Sequence, residues 1–459
     1  MLSNMNIVLV LSDTLRRDYL PCYGNTTIIA PNVAAFARRS LVFDNFHAAS
    51  FPTVPARADL MTGKYTFSYL DWGPLPQDEI TLAETLSKAG LLTVGIADTP
   101  FLTRNGYGYD RGFQDFISIR GQRSGPEHDD VISLRQREED YFAPQTFKTA
   151  IEWLERHHRQ QFFLYIDTWD PHEPWDPPEY YVRPYYPAYA GENITPNYWY
   201  WKEDGYTEKD LEIARACYCG EISMVDRWFG LFINRLESLG LMENTVVLFT
   251  TDHGFYFGEH DQFGKKKFRW PGDLRFEEGF LKGYKVGDQF SYRSALHREL
   301  GHIPLLVYIP GAGHTRVPGL ASIPDLTPTI LELAQAPIPA SVQAKSLLPL
   351  IERRENSIHD FVVTSSPLET IGDYQKVVDD QPRKVIELSP STIITADWDM
   401  FYAARGDPVE LYDARKDPRH LSDLASKNNG VVRKLHADFI HWLQAMGTPA
   451  PRLAPRLEL

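Results

Sequence analysis

Short, continuous apolar runs recur along the chain: Asn6–Leu11 (NIVLVL), Leu92–Ala97 (LTVGIA), Phe162–Asp167 (FFLYID), Thr245–Thr250 (TVVLFT) and Ile303–Ile309 (IPLLVYI). Runs that do not alternate with polar residues suit strands covered on both faces, the situation of a parallel sheet between layers of helices. A further strand-like stretch is Leu41–Phe46. Between the runs lie stretches with helical spacing: Asn32–Ser40, Leu82–Ala89 stopping at Gly90, and Thr146–His158. Thr207 with Asp210 can cap a long helix running to Leu239 and ended by Gly240. Strand and helix alternating at this spacing predict an α/β fold, a mostly parallel sheet flanked by helices.

Beyond about Ser366 the texture changes. Residues 367–383 are polar and irregular, after which Val385–Leu388, Thr392–Ile394 and Met400–Tyr402 resemble short antiparallel strands. Leu411–Asp413 and Lys416–Pro418 mark a turn, and Val431–Met446 reads as a terminal amphipathic helix. The expected organisation is a catalytic α/β domain over 1–365 and a small α+β subdomain over 366–459. The segment Tyr180–Trp201 is rich in aromatic residues. It is either a partly buried insertion or contact between copies of the chain, making a homo-oligomer, or a wall of a substrate pocket.

Composition narrows the function classes. With 459 residues, 43% of them hydrophobic, the chain can bury a substantial core, which excludes general disorder. A net charge of −14 argues against a broad cationic surface for nucleic acid. Cys22, Cys217 and Cys219 cannot form a disulfide framework and fit a reducing compartment. No apolar run reaches the roughly 18 residues of a membrane helix, and Ile7–Leu11 is too short and lacks the basic flank of a signal peptide. The expectation is a soluble cytoplasmic protein with no membrane or nucleic-acid partner.

Ligands of open α/β sheets gather outside the carboxyl ends of the strands. There the sequence places Asp13, Asp98–Thr99, the stretch Asp167–His172, and Asp252–His253. Thr53 opens a predicted helix through Met61, with Pro55 near its start. A helix N-terminus favours an anion, and Arg57, one turn on, can point back to it. Hydroxyl, guanidinium and helix N-terminus together suit attack on an anionic ester; the segment alone equally fits an ordinary capping threonine with a surface arginine. Asp252 and His253 can reach one cation, with Asp13 and the Thr53 hydroxyl completing a site of about four ligands. Carboxylate oxygen with imidazole nitrogen suits Mn²⁺, Zn²⁺ or Fe better than Ca²⁺. Such an ion lowers the pKa of the hydroxyl. His260 is read as loop-forming. Gly258–Lys265 has the wrong spacing for a phosphate-binding loop, as do Gly106, Gly108 and Gly112 for a dinucleotide fingerprint.

These segments, in this order, resemble the sulfatase family of the alkaline phosphatase superfamily. The markers are LSDTLRRDYLPCYG (11–24), APNVAAFARRSLVFDNFHA (30–48), TVPARADLMTGKY (53–65), DPHEPWDPP (170–178), TDHGFYFGEH with FGK (251–265), HIPLLVYIPG (302–311), DLTPTILELA (325–334) and ELYDARKDP (410–418). The resemblance implies Asp13, Asp252 and His253 as metal ligands, Thr53 at the nucleophile position, and Arg57 as the group orienting it. It implies that His172, Lys265 and His302 line the site, binding nonbridging oxygens or protonating the leaving group, with Thr99 as a substrate-pocket residue.

The departures from the family pattern carry information. Typical sulfatases convert a Cys or Ser to formylglycine, whose sulfated hydrate expels sulfate by re-forming a carbonyl. Thr53 carries a methyl on Cβ and has no such route, whereas a phosphorylated threonine can be hydrolysed by metal-activated water. The usual Gly-Lys-x-His segment is missing, its place taken by Gly95–Phe101 (GIADTPF); Ser12 stands where a second Asp is common, and His253 replaces an Asn. These features resemble the phosphonate monoester hydrolase and phosphodiesterase branch. The expected function is divalent-metal-dependent hydrolysis of a phosphodiester or phosphonate monoester through Thr53. The alternatives are a sulfuric ester hydrolase and a catalytically inactive binding or scaffold member.

Overall fold

Eight strands form the main sheet: β1 (Asn6–Ser12), β2 (Leu41–His47), β3 (Leu92–Ala97), β4 (Asp115–Ser118), β5 (Phe162–Thr168), β6 (Thr245–Thr250), β7 (Leu305–Tyr308) and β8 (Thr315–Ser322). The structure, a computed structural model, describes residues 5–102, 106–120, 135–269, 289–376, 382–404 and 406–459. Strand order is β8-β2-β7-β6-β1-β5-β3-β4. β7 runs antiparallel to β2 and β6, and the other pairings are parallel. The predicted α/β class is the observed one.

Both faces of the sheet are covered, which is why the strand sequences lack polar alternation. From β1, Val8 and Val10 enter a core shared with helices α1 (Pro31–Ala37), α4 (Phe142–His157) and α5 (Glu208–Ser238). Ile7, Leu9 and Leu11 enter a second core with α2 (Thr53–Thr62), α3 (Leu82–Lys88) and α6 (Leu326–Leu333). The 31-residue α5 starts where predicted: the Thr207 hydroxyl accepts from Asp210 N–H, and the Asp210 carboxylate accepts from Thr207 N–H. It ends at Gly240, whose φ of +69° a side chain would resist. Among the described residues no helix is long and apolar enough to cross a membrane.

The C-terminal region forms an antiparallel sheet of β9 (Val362–Thr364), β10 (Ser391–Ile394), β11 (Trp398–Tyr402) and β12 (Glu410–Asp413), packed against α7 (Asn429–Ala445). Its first strand precedes residue 366. Two local boundaries are corrected. The turn expected from Leu411–Asp413 and Lys416–Pro418 is present, Asp417 N–H donating to Asp413 O (2.9 Å), but Leu411–Asp413 itself belongs to strand β12, because Leu411 is buried against α7 and β11 pairs with the whole segment. The strand expected at Val385–Leu388 lies at Pro382–Val385, its register fixed by pairing with Gln289–Ser291 and Tyr374–Lys376. Residues 377–381 of the polar stretch before it lie outside the described residues.

Helix α2 is held where it starts. The buried Asp59 accepts from Ser50 N–H (2.6 Å) and hydroxyl (2.7 Å) and from Thr66 N–H (2.7 Å) and hydroxyl (2.6 Å). The chain entering α2 is also laced to the C-terminal region, Ser365 N–H donating to Ala49 O (2.8 Å) and Phe51 N–H to Ser365 O (2.9 Å). Asp59→Ala leaves four buried donors without their acceptor and is expected to cost about 3 kcal/mol or more. Denaturant unfolding checks this; a loss under about 1 kcal/mol contradicts the anchoring role.

Candidate active site

Asp13 follows β1, and Asp252–His253 follow β6, its parallel neighbour, so the sheet delivers three side chains to one edge. One ligand atom from each lies within 4.8 Å of the others, and all three residues are buried. Thr53, first residue of α2 and 2% exposed, brings Oγ1 to 3.2 Å from His253 Nε2. His253 Nδ1–H donates to Gly254 O (2.9 Å), which leaves the Nε2 lone pair facing the cluster. Gly254 cannot carry a side chain here, since a Cβ would lie 2.0 Å from Glu299 O.

These residues fit a divalent cation. Asp13 Oδ2 is buried and accepts no hydrogen bond, although Arg57 Nη2 lies 2.9 Å away as an ion-pair partner. Two carboxylates, an imidazole nitrogen and a hydroxyl make a donor set able to hold such an ion. Burial and then the Asp252 charge push the Asp13 carboxyl well above the usual range. Burial acts on Asp252 in the same direction but is outweighed by His253 and Arg57, which hold it well below that range. Burial lowers His253 to about 3, so its ring is neutral and able to ligate.

Arg57, fully buried, binds protein groups through all three of its nitrogens. Nη1 donates to Asp252 Oδ2 (2.7 Å) and Thr53 O (3.1 Å), and Nη2 pairs with Asp13. Asp167, at the end of β5, takes the guanidinium in a fork, with Nε–Oδ2 at 2.8 Å and Nη2–Oδ1 at 2.7 Å. Asp167 is in turn held by the Thr99 hydroxyl (2.7 Å) and by the Tyr165 hydroxyl. Asp167 falls at the strand edge where the sequence places ligand-binding groups, but its grip on Arg57 and the hydroxyl of Tyr165 behind it carry no signal in the sequence.

A second group forms at the end of β5. His172 Nδ1–H donates to Glu173 O (2.7 Å), and the Lys265 ammonium donates to His172 Nε2 (2.5 Å). Burial, followed by the Lys265 charge, pushes His172 well below its usual pKa, so the ring stays neutral. Its face stacks on Trp169, centroids 3.8 Å apart. Three successive lysines diverge: Lys265 reaches His172, Lys266 Glu369, and Lys267 the Tyr200 hydroxyl.

Thr99 directs its hydroxyl to Asp167. His302 lies outside the cluster, bonding Asp44 O through Nε2 (2.7 Å) and stacking on His47. His260 stacks on His297 and meets Glu299, as a loop-forming residue does. Ser12 donates to Asp170 O (2.7 Å); the neighbour facing the site is Thr14. Thr14 N–H donates to Asp252 (3.0 Å) and its hydroxyl to Asp13 (2.7 Å). Its φ of 61° is strained for a β-branched residue. Tyr218 holds it there, donating to Thr14 O (2.8 Å) and accepting from Arg16 N–H (2.8 Å).

Glu173 is buried, with both carboxylate oxygens lacking hydrogen bonds and Lys265 Nζ 3.8 Å away. Burial raises its pKa from 4.5 to about 7, against the pull of Lys265. The folded protein therefore holds this proton more tightly than the unfolded chain. The associated stability is complete below about 4.5 and is lost as pH rises through about 7. Glu173→Gln is expected to remove roughly 3 kcal/mol of the stability difference between acidic and mildly alkaline conditions, read by denaturant unfolding. An unchanged pH slope contradicts this.

The sulfatase family profile matches residues 5–336. The chain is 25% identical to an arylsulfatase of Clostridium perfringens over 478 aligned residues, covering 91% of this chain and 90% of that one. It is 24% identical to the multifunctional alkaline phosphatase superfamily protein PehA of Trinickia caryophylli, covering 92% of each. The solved phosphonate monoester hydrolase of Agrobacterium radiobacter shares the fold, with a TM-score of 0.71 at 19% identity over 96% of this chain and 95% of that one. The chain belongs to the sulfatase family of ester hydrolases.

Proposed function

We propose that the protein hydrolyses phosphodiesters or phosphonate monoesters with Thr53 as nucleophile. The carrying observation is the Thr53 hydroxyl, 3.2 Å from His253 Nε2 beside the buried carboxylates of Asp13 and Asp252. Those residues and Thr53 would hold a divalent ion, which when bound supplies the charge that acidifies the hydroxyl and offsets charge on the ester.

The hydroxyl proton leaves to solvent as Thr53 Oγ bonds to phosphorus, and the phosphorus–oxygen bond to the leaving group breaks. Lys265, hydrogen-bonded to neutral His172, holds a proton at Nζ for the leaving oxygen. Arg57 fixes the carboxylates and the Thr53 carbonyl rather than the substrate, its nitrogens already engaged. Water then bonds to phosphorus, the phosphorus–Oγ bond of the threonine ester breaks, and a water proton returns to Thr53 Oγ. Trp199–Tyr200 pairs with Gln262–Phe263, which supports the aromatic segment as a wall beside Lys265 for the organic part of the ester.

Threonine favours phosphorus because its sulfated form has no carbonyl to re-form. The sulfuric ester reading is favoured by the likeness to the Clostridium perfringens arylsulfatase. A panel of nitrophenyl sulfate, bis-nitrophenyl phosphate and a nitrophenyl phosphonate, each with Mn²⁺ or Zn²⁺, separates the two. The phosphorus esters are expected to turn over faster; faster aryl sulfate hydrolysis reverses the assignment. Thr53→Ala should lower turnover by roughly a thousandfold or more with the fold intact, the scale of losing a nucleophile. Retained turnover removes Thr53 from that role.

A further inference from the structure

We infer that Glu369, in the C-terminal region, is a positioning residue for Lys265. The inference rests on the reading of Lys265 as a cation that meets the substrate. Lys265 follows the short strand Gln262–Gly264, whose last residue has φ +143° and leaves no room for a side chain: a Cβ would lie 2.8 Å from Tyr198 Cα. The pairing strand therefore fixes the backbone on the upstream side. Downstream, the neighbouring Lys266 is tied down by charge. Its ammonium lies 3.0 Å from Glu369 Oε1, and both side chains are 1% exposed.

The acceptor is itself braced from several directions. Glu369 Oε2 accepts from Ser389 N–H (2.9 Å), and Glu369 O accepts from Arg456 Nη2 (3.0 Å). The chain leading to it is anchored to the approach to Thr53, with Ser365 paired to Ala49 and Phe51 and Leu368 N–H donating to Phe67 O (2.9 Å). One short stretch, 365–369, thus spans from the entry of α2 to the lysine loop. An ion pair this buried gives up much hydration and stabilises less than a well-packed apolar pair of similar volume. What it does supply is directionality. Lys266 cannot leave Glu369 without burying an unpaired charge, so the adjoining Lys265 is held toward His172.

The test is a double-mutant cycle on the metal-loaded full chain, with inorganic phosphate as the anion and calorimetry as the readout. Lys265→Met and Glu369→Gln are each expected to weaken phosphate binding by roughly ten- to a hundredfold, the scale on which a misplaced binding group acts. In the double variant Glu369→Gln should add nothing to Lys265→Met, and Glu369→Asp, which keeps the charge, should recover part of the affinity. Effects that multiply, or unchanged affinity in Glu369→Gln, overturn the inference. Should Glu369→Gln not fold, Glu369→Asp takes its place, and its smaller loss must likewise vanish in the Lys265→Met background. If Lys265→Met alone leaves phosphate binding intact, the reading of Lys265 fails first and takes this inference with it.

Discussion

Arg57 sits without solvent contact among Asp13, Asp167 and Asp252, and one positive charge cannot neutralise three negative ones. Each carboxylate taken from water carries a penalty of several kcal/mol unless an opposite charge meets it. Asp167 is answered by the fork of Arg57 and by two hydroxyls. Asp13 and Asp252 share what remains of the guanidinium, and the cluster keeps an excess of negative charge facing the Thr53 hydroxyl. Burial first, and then the Asp252 charge, push the Asp13 carboxyl up, and Asp13, Asp252 and His253 form a donor set suited to a divalent ion.

The fold exists in large part to bring those charges together. Parallel strands send their carboxyl ends to one edge, so β1, β5 and β6 deliver Asp13, Asp167 and Asp252 from positions up to 239 residues apart. Helix α2 brings Thr53 at its N-terminus, its entry fixed by Asp59 and by the C-terminal strand connection. Thr14 adds a strained backbone turn that points both its amide and its hydroxyl at the carboxylates. Strain of this kind persists only where surrounding contacts over-determine it, and Tyr218 supplies them.

Much of this was legible in the sequence. Continuous apolar runs reveal doubly covered strands, and a polar residue just past each run falls at the sheet's functional edge by topology alone. Asp13, Asp252 and His253 could be found that way, and Thr53 from its helix start. What was hidden depended on the direction of a side chain across long sequence separations. Nothing local distinguishes Lys265 from Lys266 and Lys267; packing alone sends them to His172, Glu369 and Tyr200. Thr99 was read as facing substrate, while in the folded chain its hydroxyl serves Asp167. His302 sat in a family motif, yet its bonds run to Asp44 and His47. The turn signalled by Leu411–Asp413 and Lys416–Pro418 is present, but that Leu411–Asp413 is a strand leading into it depends on its pairing partner, not on its own composition.

The most direct measurement is anomalous diffraction from crystals equilibrated with Mn²⁺. A peak enclosed by Asp13, Asp252 and His253 Nε2 is expected, with the Thr53 hydroxyl within about 2.2 Å of it, the reach of an oxygen ligand. Density free of metal at that cluster under saturating ion, or a threonine hydroxyl turned away from an ion bound there, contradicts this expectation.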